Sequence, residues 1–400
     1  MTDLSALLAP HYSRFNVAQR LLLTGHSHQA WPDVAREGQL AAFDDAARAV
    51  DEKWALAYEQ ADLVRDGYRR FLHEPDAELA LGASTHDVVI RFLSALDLGR
   101  RPRLVTTDGE FHTLRRQLSR LAEAGIEVVS VPAEPADSLA QRLSTQVNDR
   151  TAAVLVSAVL FQSARIVPDL PALAAICATH GTELLVDAYH ALGVVSFSTA
   201  GLGDAWVVGG GYKYLQLGEG NCFLRLPAHA EQLRPVVTGW YAEFGELSHG
   251  EHPGQISYAV GGNRFAGATY DPTSHYRAAR VFDFFNQHGL TPPVLRQISL
   301  RQVSLLMERF DAIGADPAVI DRDRSAPREA IAGFLALRSP HAAKLQQLLR
   351  DREVRTDSRG DVLRMGPAPY LSEAQLHASM DALAESIAAL DLTCESPATP

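Results

Sequence analysis

Lysine is nearly absent from this sequence. Of 37 basic residues only three are lysines, Lys53, Lys213 and Lys344. Any step in which an amine must lose its proton and attack a carbonyl therefore has three candidates, because an arginine guanidinium stays charged. Cysteine is equally scarce: Cys177, Cys222 and Cys394 stand far apart and form no CxxC pair. That excludes a disulfide framework or a cysteine zinc site and suits a reducing cytoplasm. An excess of positive charge is missing too. The net charge of -11 argues against a nucleic-acid backbone or an anionic membrane as the main partner. The longest apolar run, 152–161, is too short to span a membrane. The opening residues hold Asp3 and a brief apolar stretch over 4–9, which does not read as a signal peptide. A cytoplasmic location is expected.

What is present is ordinary for a globular enzyme. The 400 residues, 46% hydrophobic and 21% charged, exceed one usual domain and predict two packed lobes. Short β-branched runs at 104–106, 127–131, 152–160, 183–187 and 205–209 alternate with helical patterns over 114–122 and 170–180. This predicts an α/β fold with a largely parallel sheet covered on both faces, its ligand at the carboxyl ends of the strands. Residues 221–226 read as an antiparallel addition. From Ser274 long helices dominate, over 274–287 and 299–313, with a strand near 333–338. Ser372 and Gln375 form a capping box ahead of an apolar face of Leu376, Met380, Leu383, Ile387 and Leu390. The division expected is an N-terminal segment 1–60, a large domain 61–273, and a smaller α+β domain 274–400 ending in a disordered tail from Glu395.

Two strand ends carry chemistry. Leu184-Leu185-Val186 runs into Asp187, and Trp206-Val207-Val208 runs into Gly209-Gly210-Gly211-Tyr212-Lys213. Alone, the first could be a helix cap and the second a surface turn. Together they supply what pyridoxal phosphate (PLP) requires: an amine for an imine and a carboxylate to keep the pyridine nitrogen protonated. The glycines are expected to let the backbone approach the cofactor. Lys53 and Lys344 lie in charged, helix-like surroundings and read as solvated. His26 and His28 form an HxH pair with no cysteine or carboxylate cluster in the sequence beside it, so no metal is expected. Cys222, in a strand, reads as a buried, inert thiol.

The segments Asp187-Ala-Tyr-His190-Ala-Leu-Gly193, Gly211-Tyr212-Lys213-Tyr214-Leu215 and Gly218-Glu-Gly220 resemble kynureninase, a class V, fold-type I PLP-dependent family. Thr238-Gly239-Trp240-Tyr241 is similar to its Gly-Trp-Phe element, Leu22 to His28 to its early Gly-Asn-Ser segment, and Arg364-Met-Gly-Pro-Ala-Pro-Tyr370 to its late arginine motif. The resemblance implies a mainly parallel seven-stranded sheet flanked by helices and a homodimer with shared active sites. It implies PLP on Lys213, Asp187 at the ring nitrogen, Phe111 on the ring face, and His190 and Ser163 nearby. Ser84, Thr85 and Tyr212 would hold the phosphate, with Trp240 and Thr269 reaching it from the other subunit. Arg364 would grip the substrate α-carboxylate, with Ser27 and His28 also at the substrate.

Departures cluster at substrate contacts. Leu114 stands where kynureninases have Asp, and Gly25-His26-Ser27-His28-Gln29 replaces Gly-Asn-Ser-Leu-Gly. Residues 264–272 look closer to other class V members. The activity implied is hydrolysis of the Cβ–Cγ bond of a γ-keto amino acid, releasing alanine, with Lys213, Asp187 and Tyr212 catalytic. Alternatives are a class V aminotransferase, a carbon–sulfur β-elimination lyase and, more distantly, a non-catalytic PLP-binding protein.

Overall fold

The computed structural model describes residues 4–243 and 256–394; the tail expected from Glu395 lies outside them. Seven strands form the main sheet: β1 (Glu78–Gly82), β2 (Arg103–Thr107), β3 (Glu127–Val131), β4 (Thr151–Ser157), β5 (Glu183–Asp187), β6 (Trp206–Gly210) and β7 (Cys222–Leu226). Their spatial order is β1-β7-β6-β5-β4-β2-β3. Strands β2 to β6 pair in parallel, and β7 runs antiparallel to both β6 and β1. This is the mainly parallel seven-stranded sheet that the resemblance implies. Edge strand β1 was not foreseen, because its half-exposed Glu-Leu-Ala-Leu-Gly lacks a β-branched run.

Burial on both faces explains the continuous apolar runs. Val154, Val156, Leu184, Val186 and Val207 enter one core, and their neighbours Leu155, Leu185, Trp206 and Val208 enter the other. Successive strand residues point to opposite faces, so a strand covered twice must be apolar throughout. The longer helices are α1 (Val34–Ala49), α2 (Lys53–Leu72), α3 (Thr85–Ala95), α4 (His112–Glu123), α5 (Leu170–Thr179), α6 (Thr273–Gln287), α7 (Pro292–Ile313), α8 (Ala342–Asp351) and α9 (Glu373–Cys394). Phe92 of α3 and Leu118 of α4 pack on one face; Val64 and Tyr68 of α2 and Leu173 of α5 pack on the other. Helix α2 passes unbroken through residues 60 and 61. Its Gly67 admits the Phe282 ring of α6, since a Cβ there would stand 2.2 Å from that ring.

The C-terminal layer holds more strands than the sequence suggests. Besides β9 (Leu335–Arg338), close to the expected 333–338, it contains β8 (Asp321–Arg322), β10 (Asp357–Arg359) and β11 (Val362–Met365) in an antiparallel sheet ordered β10-β11-β9-β8. Strands of two to four residues are too short for alternation to register. The chain's beginning is sewn into this layer. Leu21–Leu22 pairs in parallel with Val354–Arg355, and Gln375 Nε2 donates to the carbonyls of Val17 and Arg20 at 2.8 Å each. The capping box forms: Ser372 N donates to Gln375 Oε1, and Gln375 N donates to Ser372 Oγ. No helix among the described residues is long and apolar enough to cross a membrane.

Candidate active site

Strand pairing sets Asp187 beside Ser157 on one side and Val208 on the other, so the polar group of β5 emerges at the carboxyl ends of three adjacent strands. Past β6 the chain turns tightly, with Leu217 N donating to Gly211 O and Gln216 N to Lys213 O. This turn returns Lys213 over Asp187. Thr85, Phe111, Ser157, Asp187, His190 and Lys213 are among the residues lining one cavity.

Lys213 is 6% exposed. Its Nζ stands 2.5 Å from His190 Nε2 and 4.8, 5.4 and 5.7 Å from the ring centres of Tyr189, Phe111 and Tyr212. Burial pushes the amine down to about 7, against the Asp187 carboxylate, which favours the charged form. His190 is held well below the ordinary range by burial and then by the Lys213 charge, so its ring is neutral. Nε2 then accepts from the lysine, and the proton-bearing Nδ1 has no hydrogen-bond partner among the described residues.

Asp187 Oδ1 accepts from Tyr189 N at 2.8 Å, while Oδ2 has no hydrogen-bond partner among the described residues. Burial raises its carboxyl, opposed by the Tyr189 N–H and the Lys213 charge. Beneath it lies an acid that sequence reasoning missed. Glu110, 2% exposed, accepts from Thr107 Oγ1 at 2.8 Å, Ser157 N at 3.1 Å and Ser157 Oγ at 2.6 Å. Burial pushes it up to about 7, the three donors pull it back, and Asp187 adds to the rise. Its position directly before Phe111 was the one available signal.

Arg364, 3% exposed, is already engaged. Nε and Nη2 donate to Asp357 Oδ1 and Oδ2 at 2.9 and 2.5 Å, and Nη1 donates to the Phe161 carbonyl at 2.6 Å. His26 is fully buried and its Nε2 meets Asp357 Oδ1 at 2.7 Å. Burial drives His26 down to about 4, so it is neutral and donates to the carboxylate. Asp357 was not singled out from the sequence, because it sits in a charged stretch, 350–359, that reads as solvated surface.

The other candidates fall at varied distances from this centre. Ser84 caps α3 by accepting from Asp87 N at 3.2 Å, which leaves its hydroxyl hydrogen free to donate. His28 is exposed and stacks on Tyr212, with ring centres 5.0 Å apart, and Ser27 Oγ lies 3.2 Å from His28 Nδ1. Ser163 Oγ accepts from Arg165 N and does not line the cavity. Trp240 Nε1 donates to Thr269 Oγ1 at 3.1 Å; within one chain neither residue lines the cavity around Lys213. Thr269 instead borders a larger cleft that includes Arg65, Asp87 and Arg277.

The three glycines are closely packed by neighbouring side chains. A Cβ at Gly209 would press on Phe223, one at Gly210 on the Tyr189 ring and Cys222 Sγ, and one at Gly211 on Leu217, all within 3.0 Å. They admit protein side chains close to the backbone. Cys222 is buried, and its thiol is pushed up to about 12 by that burial; Cys177 is likewise buried and pushed up to about 12. No group of three or more His, Cys, Asp or Glu among the described residues is arranged to hold a metal.

No protein-family model matches the chain. An uncharacterized aminotransferase, YcbU of Bacillus subtilis, is 23% identical over 337 residues, covering 83% of this chain and 85% of that protein. Kynureninase of Deinococcus radiodurans is 26% identical over 331 residues, covering 80% and 76%. Among solved structures, a C-DES variant with glycine linked covalently to its PLP cofactor superposes with a TM-score of 0.80 at 17% identity, over 95% of this chain and 98% of that one. The cystine C–S lyase C-DES with its product cysteine persulfide gives 0.79 at 17% identity, over 92% and 98%. At that identity the likeness establishes the fold.

Proposed function

The fold is that of the class V, fold-type I PLP-dependent enzymes, and from that premise we propose that this chain carries PLP on Lys213 and acts at the Cα of a small α-amino acid. The observation that carries the reading is the buried Lys213 amine, brought down to about 7 in a cavity it shares with Asp187, His190 and Phe111.

The residues fit the cofactor. Asp187 Oδ2, without a hydrogen-bond partner among the described residues, would hold the protonated ring nitrogen. Phe111 would cover a ring face, with His190 near it, while Ser163 stands outside the cavity lining. Ser84, Thr85 and the amides opening α3 would take the phosphate, as helix N-termini do, together with Tyr212. When bound, PLP supplies the sink for the electron pair released at Cα. Lys213 then takes the Cα proton, since an amine near neutrality is present in part as free base at physiological pH. Arg364 grips the α-carboxylate, which fixes the Cα–H bond relative to the cofactor plane, and Ser27 and His28 meet the substrate at the mouth. Trp240, 44% exposed, and Thr269 would complete the phosphate site of a second copy in a homodimer.

The reaction we propose is hydrolysis of the Cβ–Cγ bond of a γ-keto amino acid, releasing alanine and a carboxylic acid. The order of Asp187, His190, Tyr212, Lys213, Trp240 and Arg364 supports it, as does the similarity to a kynureninase. A second reading is β-elimination at a carbon–sulfur bond. It is supported by the likeness to C-DES, and an elimination without a protein thiol agrees with the burial of Cys177 and Cys222.

The test has two parts. Borohydride reduction and peptide mapping should place the pyridoxyl group on Lys213; a label on Lys53 or Lys344 ends the proposal. Incubation with kynurenine and related γ-keto amino acids should yield alanine plus a carboxylic acid, while cysteine serves to report elimination. Pyruvate with ammonia means elimination, and pyridoxamine with a keto acid means transamination. Either result removes the hydrolase reading and leaves the cofactor assignment standing. An inert PLP-binding protein would give no product.

A further inference from the structure

The geometry points to Asp357, braced by His26, as the residue that positions Arg364 for the substrate carboxylate. This rests on the proposal that Arg364 is the carboxylate grip.

A guanidinium has five N–H donors in one plane. In Arg364 three are assigned: Nε and one Nη2 hydrogen to the two oxygens of Asp357, and one Nη1 hydrogen to the Phe161 carbonyl. One N–H remains on each terminal nitrogen, and two donors on adjacent nitrogens are what a bidentate carboxylate contact uses. Asp357 therefore takes one edge of the fork and fixes the plane of the rest. A flexible arginine would have to be ordered by each substrate, whereas this one is ordered beforehand.

Asp357 is itself constrained. His26 Nε2 contacts Oδ1 at 2.7 Å from a fully buried ring, and Arg359 Nη2 lies 3.6 Å from Oδ2. The His26 ring has no room to swing, with Phe334 4.7 Å away between ring centres. A Cβ on Gly366 would come within 2.3 Å of its Nδ1. A buried guanidinium with no counter-charge would also be costly in the empty site. The pair with Asp357 removes that cost and leaves two donors in place. Asp357 is a positioning residue: it acts on substrate through Arg364.

The experiment compares binding of L-alanine and ethylamine to the PLP-loaded protein, followed by cofactor absorbance. The ratio of their dissociation constants measures what the carboxylate contributes. Arg364→Lys should abolish the preference for alanine. Asp357→Asn should cut it about tenfold, or about 1.4 kcal/mol, and His26→Phe by a smaller factor, with ethylamine affinity unchanged in both. Melting of each apoprotein reports folding, and if Asp357→Asn does not melt cooperatively, His26→Phe decides. An unchanged ratio in a folded Asp357→Asn, with Arg364→Lys abolishing the preference, overturns the role of Asp357 and keeps that of Arg364. A higher alanine preference in Asp357→Asn also overturns it, because Asp357 would then compete with the carboxylate. An unchanged ratio in Arg364→Lys overturns the grip itself, and this inference with it.

Discussion

Lys213 Nζ lies 2.5 Å from His190 Nε2, a contact between two groups that burial pushes toward their neutral forms. An amine that titrates near 7 must shed its proton before it can attack the cofactor aldehyde. The free-base fraction therefore grows as pH rises through about 7 and is nearly complete one to two units above. The rate of PLP uptake by the apoprotein should rise over that window and then level off, as read by absorbance. A rate that keeps climbing toward pH 10 would reveal an ordinary lysine and contradict the environment described.

Asp187→Asn removes the charge that would face the ring nitrogen while keeping the acceptor for Tyr189 N. Exchange of the substrate Cα hydrogen with deuterated solvent should slow by roughly a hundred- to a thousandfold, the scale of losing one preorganised electrostatic contact. Melting temperature should change little. Near-normal exchange would assign the electron sink to another group, with Glu110 the first to examine.

A desulfurase-type mechanism would need an accessible thiol. Burial holds Cys222 at about 12, so little thiolate exists at neutral pH. Cys222→Ala should keep its turnover with every substrate that the native protein accepts, within about twofold once folding is matched. Loss of turnover on sulfur substrates alone would make Cys222 a nucleophile.

Gly210→Ala tests the close packing behind the site. Its Cβ would sit 2.6 Å from the Tyr189 ring and 2.7 Å from Cys222 Sγ. Overpacking of this kind costs about 1–3 kcal/mol, and it displaces the ring that Lys213 approaches to 4.8 Å. Thermal melting should show the loss, together with weaker PLP retention. Gly99→Ala, where the nearest atom would be 3.6 Å away, should melt like the native protein.

Much of this was readable in the sequence for physical reasons. Strands buried on both faces must be apolar throughout, so β4 to β6 declared themselves, and β5 carries the bounds that its composition gives. Scarcity of lysine narrowed the search to Lys213 before any geometry was known. What escaped detection depends on long-range contact. Glu110 gains its character from Ser157, 47 positions away, and Asp357 from His26, 331 positions away. The glycine run announced close approach but not the identity of the approaching group. Edge strand β1 and the short strands of the C-terminal layer owe their form to their partners, not to their own residues.

Among the described residues, strand β1 pairs with the main sheet only through β7, and β1 leads directly into Ser84 and Thr85. During synthesis these two residues emerge early, yet the strand that fixes them follows about 140 positions later. Until Cys222–Leu226 has paired, the opening of α3 has no sheet to anchor it, and β1 waits as an unsatisfied edge exposed to foreign strands. A nascent chain released before that point would carry the lysine but not the cradle opposite it. The order of assembly thus withholds the proposed phosphate site until the large layer is closed.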